Sequence, residues 1–211
     1  MSNHAQRRDV ERYDEWAKTY EDSKIQKVRN EIHHNLQDWI AGAGTKPVRI
    51  LDVGCGTGML LHGLASHFPD AEAFGIDIAP SMIEEAKAKV TSEVPMTFVQ
   101  APAEQLPFDD GQFDLVVSTI CFHHWRSRAE GLAEVRRVLA PGGRFYLADH
   151  FAIGWLRPFF AITMTRSRVH TPPELDQLMA GAGLSIAEWK LLYRLGGRLP
   201  LIHGVLAQAR D

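Results

Sequence analysis

Within seven residues, Asp52-Val53-Gly54-Cys55-Gly56-Thr57-Gly58, the chain sets one carboxylate beside three glycines. Glycine reaches backbone dihedrals closed to other residues and lets the main chain approach a ligand closely. The segment therefore reads as a ligand-cradling turn. The dinucleotide fingerprint G-x-G-x-x-G is incomplete, because its sixth position needs glycine. Counted from Gly54 that position is Met59, and counted from Gly56 it is Leu61. Asp52 points away from a dinucleotide as well. An acid at a strand end repels a pyrophosphate and attracts a ligand carrying a sulfonium and an ammonium. A second acid, Asp77, closes the next apolar run. Taken alone it also reads as the N-cap of the helix that follows.

The histidines are the candidate proton-moving groups. His123 and His124 follow the apolar run 113–118, and His150 follows Asp149. Adjacent residues usually point apart, and no third ligand at zinc-like spacing follows the pair. No metal is therefore expected. His123 reads as a supporting residue. His124 and His150 are the candidate general bases, since neutral imidazole accepts a proton near pH 7.

These groups need a scaffold. Val10, Tyr13, Ala17 and Tyr20, then Ile25, Val28, Ile32, Leu36 and Trp39, recur at helical spacing until Gly42 and Gly44. Strands are expected at 48–53, 73–77, 96–99, 113–118 and 144–149. Between them lie helical stripes through Leu60, Leu61 and Leu64, through Met82, Ile83 and Ala86, and through Leu132, Val135 and Leu139. Ser81 with Glu84 and Ser127 with Glu130 have capping-box spacing, and Pro141-Gly142-Gly143 reads as the turn into the fifth strand. Thr171 opens a further helix. Two closing strands, 186–192 and 202–209, flank a hairpin loop at 196–200. Alternating strands and helices imply an α/β fold, a doubly wound, seven-stranded and mostly parallel sheet with an antiparallel terminal hairpin.

With the loop, the second acid and the later motifs in order, the sequence resembles the class I S-adenosylmethionine-dependent methyltransferases. The likeness is to the small-molecule branch related to the menaquinone and ubiquinone biosynthesis methylases. Asp52–Gly58 is similar to that family's first motif. Ala103-Glu104-Gln105-Leu106-Pro107-Phe108 leading into Phe113-Asp114-Leu115-Val116-Val117 resembles its adenine segment, and Leu139-Ala140-Pro141-Gly142-Gly143-Arg144 the turn before strand five. The resemblance implies a Rossmann-like fold and S-adenosylmethionine as cofactor. It implies a binding set of Tyr20, Asp52, Gly54, Gly56, Thr57, Asp77, Ile78, Met82, Ala103, Glu104 and Thr119. In it Asp77 grips the ribose hydroxyls and an aromatic of the N-terminal lid segment 13–20 covers the methionine moiety. One position departs. Where the family often has Asp before the alanine of the adenine motif, this chain has Pro102. The Ala103 backbone N–H and Glu104 are then left to serve adenine.

The expected organisation is one domain. It has a helical lid at 1–44, a cofactor-binding core at 48–150, and a substrate-side insertion with closing hairpin at 151–211. The expected reaction is direct methyl transfer to a small, partly apolar metabolite through oxygen, nitrogen or carbon. A quinone C-methylase or phospholipid N-methylase is the alternative. The aromatic run from Phe151 through Trp155, Phe159 and Phe160 suits an apolar acceptor or a lipid surface, or packs on its own domain. Outside methyl transfer, the rivals are a nicotinamide-dependent oxidoreductase and a non-catalytic cofactor-binding partner. A net charge of −3 gives no global field for nucleic acid or anionic lipid. The Pro-Pro-aromatic signature of nucleobase amino-methylases is missing after the fourth strand, where Ser118-Thr119-Ile120-Cys121 stands. Apolar residues at 45% and charged residues at 23% exclude a disordered chain. Two cysteines fit a reducing compartment, and the charged N-terminus lacks a signal peptide's apolar core. A cytoplasmic protein is expected.

Overall fold

The computed structural model describes residues 24–91, 95–156 and 169–210. The expected lid helix through Tyr20 lies outside them, as do Phe159 and Phe160. Helix α1 (Lys24–Gly42) leads to β1 (Arg49–Val53), α2 (Met59–His67), β2 (Glu72–Asp77), α3 (Pro80–Ala88) and β3 (Met96–Gln100). Then come β4 (Phe113–Thr119), a short 3-10 turn (Phe122–His124), α4 (Arg128–Val138) and β5 (Leu139–Asp149). The chain closes with α5 (Pro172–Gly181), β6 (Leu184–Leu195) and β7 (Leu199–Ala209).

The sheet runs β3-β2-β1-β4-β5-β7-β6. The first five strands pair in parallel. β7 runs antiparallel to both β5 and β6, so six strands share one direction. Strand order reverses between β1 and β4, and ligands of open α/β sheets bind beyond the carboxyl ends at such a point.

Side chains alternate across the sheet and feed two apolar layers. Ile50, Leu115, Val117 and Tyr146 pack with Ile32, Leu36, Leu61 and Leu64 of α1 and α2. Leu51, Val116, Phe145 and Leu147 pack with Leu132, Val135, Leu175 and Met179 of α4 and α5. Both faces of the central strands are buried, which explains their continuous apolar runs. Two glycines let α1 sit close. A Cβ on Gly63 would overlap the Gln37 amide, and one on Gly204 would press to 2.6 Å from Trp39. The Gln37 amide donates to Leu60 O at 3.2 Å, tying α1 to the helix that opens at the glycine loop.

Three expectations are corrected in detail. Ser81 and Glu84 form no capping box, because α3 starts at Pro80 with Ala79 as its N-cap. Leu139 already pairs with Phe113, so β5 starts before the Pro-Gly-Gly segment, which bulges out and rejoins at Arg144 opposite Leu115. The hairpin strands are longer than their apolar runs, because β6 and β7 pair as far as Leu195 and Leu199. Ser127 does cap α4. Thr171 opens α5, its backbone N–H donating to Glu174 at 2.7 Å. The described part of the aromatic run packs inward: Phe151 is 1% exposed and meets Trp189 edge-on at 5.2 Å.

Candidate active site

The glycine loop turns from β1 into α2 with Gly54, Gly56 and Gly58 at φ of 82, 53 and 82°. Any side chain at these positions would be strained. A Cβ on Gly54 would also overlap the Cys121 sulfur, so glycine lets the chain after β4 lie against the loop. Gly54 N and Cys55 N both donate to Ile76 O, at 2.8 and 2.9 Å, which fixes the loop to the end of β2. A cavity opens there, walled by the loop, the ends of β2 and β4, and α1. A smaller one adjoins it, walled by Asp77, Ile78, Ala103, Glu104 and His124.

Asp77 accepts from Gly56 N at 3.0 Å and Ala79 N at 2.9 Å, so it braces the loop. Its carboxylate also lines the cavity. Asp52 is different. It is 2% exposed and its Oδ1 has no partner. Burial, and then the nearby Asp77 charge, push its pKa up to about 8. Gln26 Oε1 and Thr119 Oγ1 are likewise buried without a partner, and both residues line the same cavity. Burial, with Arg29 and His34, lowers His33 to about 4, so His33 is neutral at physiological pH. Burial, then nearby aspartates, push the Cys55 and Cys121 thiols well above the usual range, so neither is a nucleophile at neutral pH. Ile120, also on the cavity wall, has φ of 51°, a conformation that strains a β-branched residue.

The histidines gather around Asp149. His123 Nδ1 lies 2.8 Å from Asp149 Oδ1, and His123 N donates to Oδ2 at 3.0 Å. His150 N donates to Oδ1 at 2.7 Å, with its Nδ1 at 3.3 Å. Burial disfavours the Asp149 charge, but the His123 charge and hydrogen bonds, with those of His150, outweigh it and hold the carboxyl far below its usual range. The third group that local spacing did not supply for the histidines thus comes from Asp149. The three ligand-type atoms lie within 4.8 Å of one another, and hydrogen bonding accounts for their arrangement. His124 faces both cavities. His150 lines neither.

Residues 51–147 match the family described as a methyltransferase domain. The chain is 38% identical over 139 residues to the malonyl-[acyl-carrier protein] O-methyltransferase of Geobacter sulfurreducens, covering 58% of this chain and 52% of that protein. It is 40% identical over 104 residues to the demethylmenaquinone methyltransferase of Thermus thermophilus, covering 49% and 47%. Residues 51–147 therefore carry a methyltransferase domain similar to those of the class I S-adenosylmethionine-dependent enzymes. The chain spans about half the length of these curated relatives. Its fold is that of an S-adenosylmethionine-dependent methyltransferase from Aquifex aeolicus, with a TM-score of 0.72, 20% identity, and 92% and 97% of the two chains covered. A domain of this family implies S-adenosylmethionine as its cofactor.

The cavity fits that cofactor. A ligand with hydroxyls, a sulfonium and an ammonium would meet the buried acceptor atoms Asp52 Oδ1, Gln26 Oε1 and Thr119 Oγ1, which have no partner among the described residues, and the Asp77 carboxylate. Of the expected binding set, Asp52, Gly54, Gly56, Thr57, Asp77, Ile78, Met82 and Thr119 line the larger cavity, and Ala103 and Glu104 the smaller. Tyr20 lies outside the described residues. Glu104 carries a second duty, because its Oε1 accepts from Ser127 N at 2.9 Å and anchors the start of α4. Residues Leu106 and Phe108 are held by Arg137, which donates to Leu106 O and Phe108 O while paired with Glu134. The sequence reading missed Gln26, Arg29 and His33 on the α1 wall. The apolar stripe of α1 marks its core-facing side, and these polar residues fall between the positions of that stripe.

Proposed function

We propose that this methyltransferase transfers the methyl group of S-adenosylmethionine to a small, partly apolar metabolite by direct displacement. The observation that carries this reading is the convergence on one cavity of three buried polar atoms, on Asp52, Gln26 and Thr119, without a partner among the described residues. Burying such groups without partners costs free energy, so their place is at a ligand. When bound, the cofactor supplies an electrophilic methyl group. The protein supplies placement. Asp77 holds the ribose, Ala103 with its neighbours holds adenine, and the glycine loop carries the chain past the ligand without steric conflict. Met59, Leu60, Met82 and Ile120 give the cavity apolar walls that exclude water. Holding acceptor and methyl close and in line supplies the rate.

For an oxygen acceptor, His124 takes the proton, as it is the candidate base on the cavity wall. A quinone acceptor methylated at carbon is the second reading, supported by the 40% identity to the Thermus enzyme. The described residues contain no helix long and apolar enough to cross a membrane. A single domain acting in the cytoplasm on a metabolite, not on nucleic acid, accords with the net charge of −3 and the free Cys55 and Cys121. A labelled-methyl screen against metabolite extract, RNA and protein pools tests the proposal. Label is expected in the metabolite pool, and label mainly in RNA or protein rejects it. In the same preparation Asp77→Ala should weaken S-adenosylhomocysteine binding by about 1–3 kcal/mol, since charged-group hydrogen bonds are lost.

A further inference from the structure

We infer that Asp52 discriminates the methyl donor from its product by charge: it keeps its proton beside the demethylated ligand and gives it up to the sulfonium ligand. The inference rests on the cofactor reading above. Asp52 is 2% exposed, its Oδ1 has no partner, and it lines the cavity at the end of β1. Among the described residues, the other ionisable groups facing that space can be named. Asp77 comes from β2, Cys55 from the loop, Cys121 and His124 from the segment after β4, and Arg29 and His33 from α1. Arg29 stays charged and His33 stays neutral at neutral pH, while both thiols stay protonated. That leaves Asp52, Asp77 and His124 as the groups able to exchange protons with a ligand, and the Asp52 and His124 variants below tell Asp52 from the others.

The ligand-free protein holds Asp52 largely protonated, because burial and Asp77 both oppose its charge. An opposite charge within a few ångströms lowers a carboxyl pKa by about 1–3 units. S-adenosylmethionine brings two positive centres, an ammonium and a sulfonium, against one carboxylate. S-adenosylhomocysteine brings the ammonium and carboxylate alone. When the methyl is transferred, the bonding pair stays on sulfur, a bond forms from acceptor to carbon, and the ligand loses one positive charge. Asp52 then regains a proton from solvent. The attraction that held the donor is absent from the product, so the site favours exchange of product for donor.

Isothermal titration at about pH 6.5, in phosphate and in bis-Tris, counts the protons released from the difference in apparent heats. About 0.2–0.9 proton should leave with S-adenosylmethionine, depending on a shift of about 1–3 units, and clearly less with S-adenosylhomocysteine. Correspondingly, donor affinity should rise by up to about tenfold per pH unit, and product affinity more shallowly. Asp52→Asn should abolish the difference and His124→Gln should retain it. Equal proton counts for the two ligands in the wild type, or a difference that survives Asp52→Asn, overturns the inference. If Asp52→Asn does not fold, the wild-type comparison decides alone. Failure of both ligands to bind overturns the cofactor reading itself, and this inference with it.

Discussion

Asp52 lies one residue from the end of β1 and Asp149 ends β5, and the two are 2% and 1% exposed. Burial opposes the charge of both. Asp149 collects two backbone N–H donors and two imidazoles, and is held ionised. Asp52 has an oxygen without a partner and another carboxylate nearby, and is held protonated at neutral pH. Partners, not burial, decide the state of a buried acid. A satisfied acid builds the fold, and an unsatisfied acid on a cavity waits for a ligand. The same division separates the histidines, since His150 belongs to Asp149 and His124 to the cavity.

The largest effect should come from that division. With an oxygen acceptor, His124→Ala should lower turnover about 10²–10⁴-fold, the usual contribution of a general base. His150→Ala should lower it less than about tenfold, as an indirect effect through Asp149. Steady-state rates at saturating cofactor check this. A larger loss at His150 would move the proton path to the β5 side and break the comparison.

Stability should divide the two acids next. Asp149→Ala removes the acceptor of His123 and of two peptide N–H groups, and breaking such a buried network costs about 3–5 kcal/mol. Urea unfolding measures it. The sequence did not reveal this pairing. It placed Asp149 at a strand end and His123 after the fourth strand, 26 positions apart, and only the parallel pairing of β4 with β5 brings them together. What the sequence made legible was local. The glycine loop, the strand runs and Asp77 carry their pattern within a few residues. The bulge at Pro141-Gly142-Gly143 was read as a turn because pairing across strands has no local signature. Arg29 and His33 were missed because a wall of the cavity comes from a helix distant in sequence.

Asp52→Asn should act in the opposite direction to Asp149→Ala. A carboxyl whose folded pKa is raised costs stability once the unfolded chain ionises, above about pH 4. The cost grows with pH and is complete once pH passes the folded value of about 8. Asp149 has the reverse sign: its contribution is full above the unfolded pKa and is lost as pH falls below it. Asp52→Asn should therefore stabilise the ligand-free protein by on the order of 1–3 kcal/mol near pH 7.5, part of the gain being offset by the buried amide. The gain should shrink toward zero near about pH 4. Unfolding curves across that range check it, and a gain independent of pH would show that Asp52 does not titrate.

The smallest effect should come from Glu104, which stands between the two classes. It lines the smaller cavity, as an adenine-binding residue would, yet its Oε1 accepts from Ser127 N at 2.9 Å where α4 begins. A carboxylate engaged by a backbone donor acts as part of the scaffold. Glu104→Gln keeps the shape and one carbonyl acceptor but loses the charge, so the bond to Ser127 persists in weaker form. The expected cost is about 0.5–1 kcal/mol in unfolding free energy, the gap between a charge-assisted and a neutral hydrogen bond. S-adenosylhomocysteine affinity should stay within about twofold, since a neutral amide presents similar polarity to the cavity. Paired titration and unfolding measurements on one variant separate the roles. A tenfold loss of affinity at unchanged stability would place Glu104 with Asp52 among the acids kept for the ligand, and would leave the start of α4 held by the Ser127 side chain, which accepts from Glu130 N at 3.3 Å.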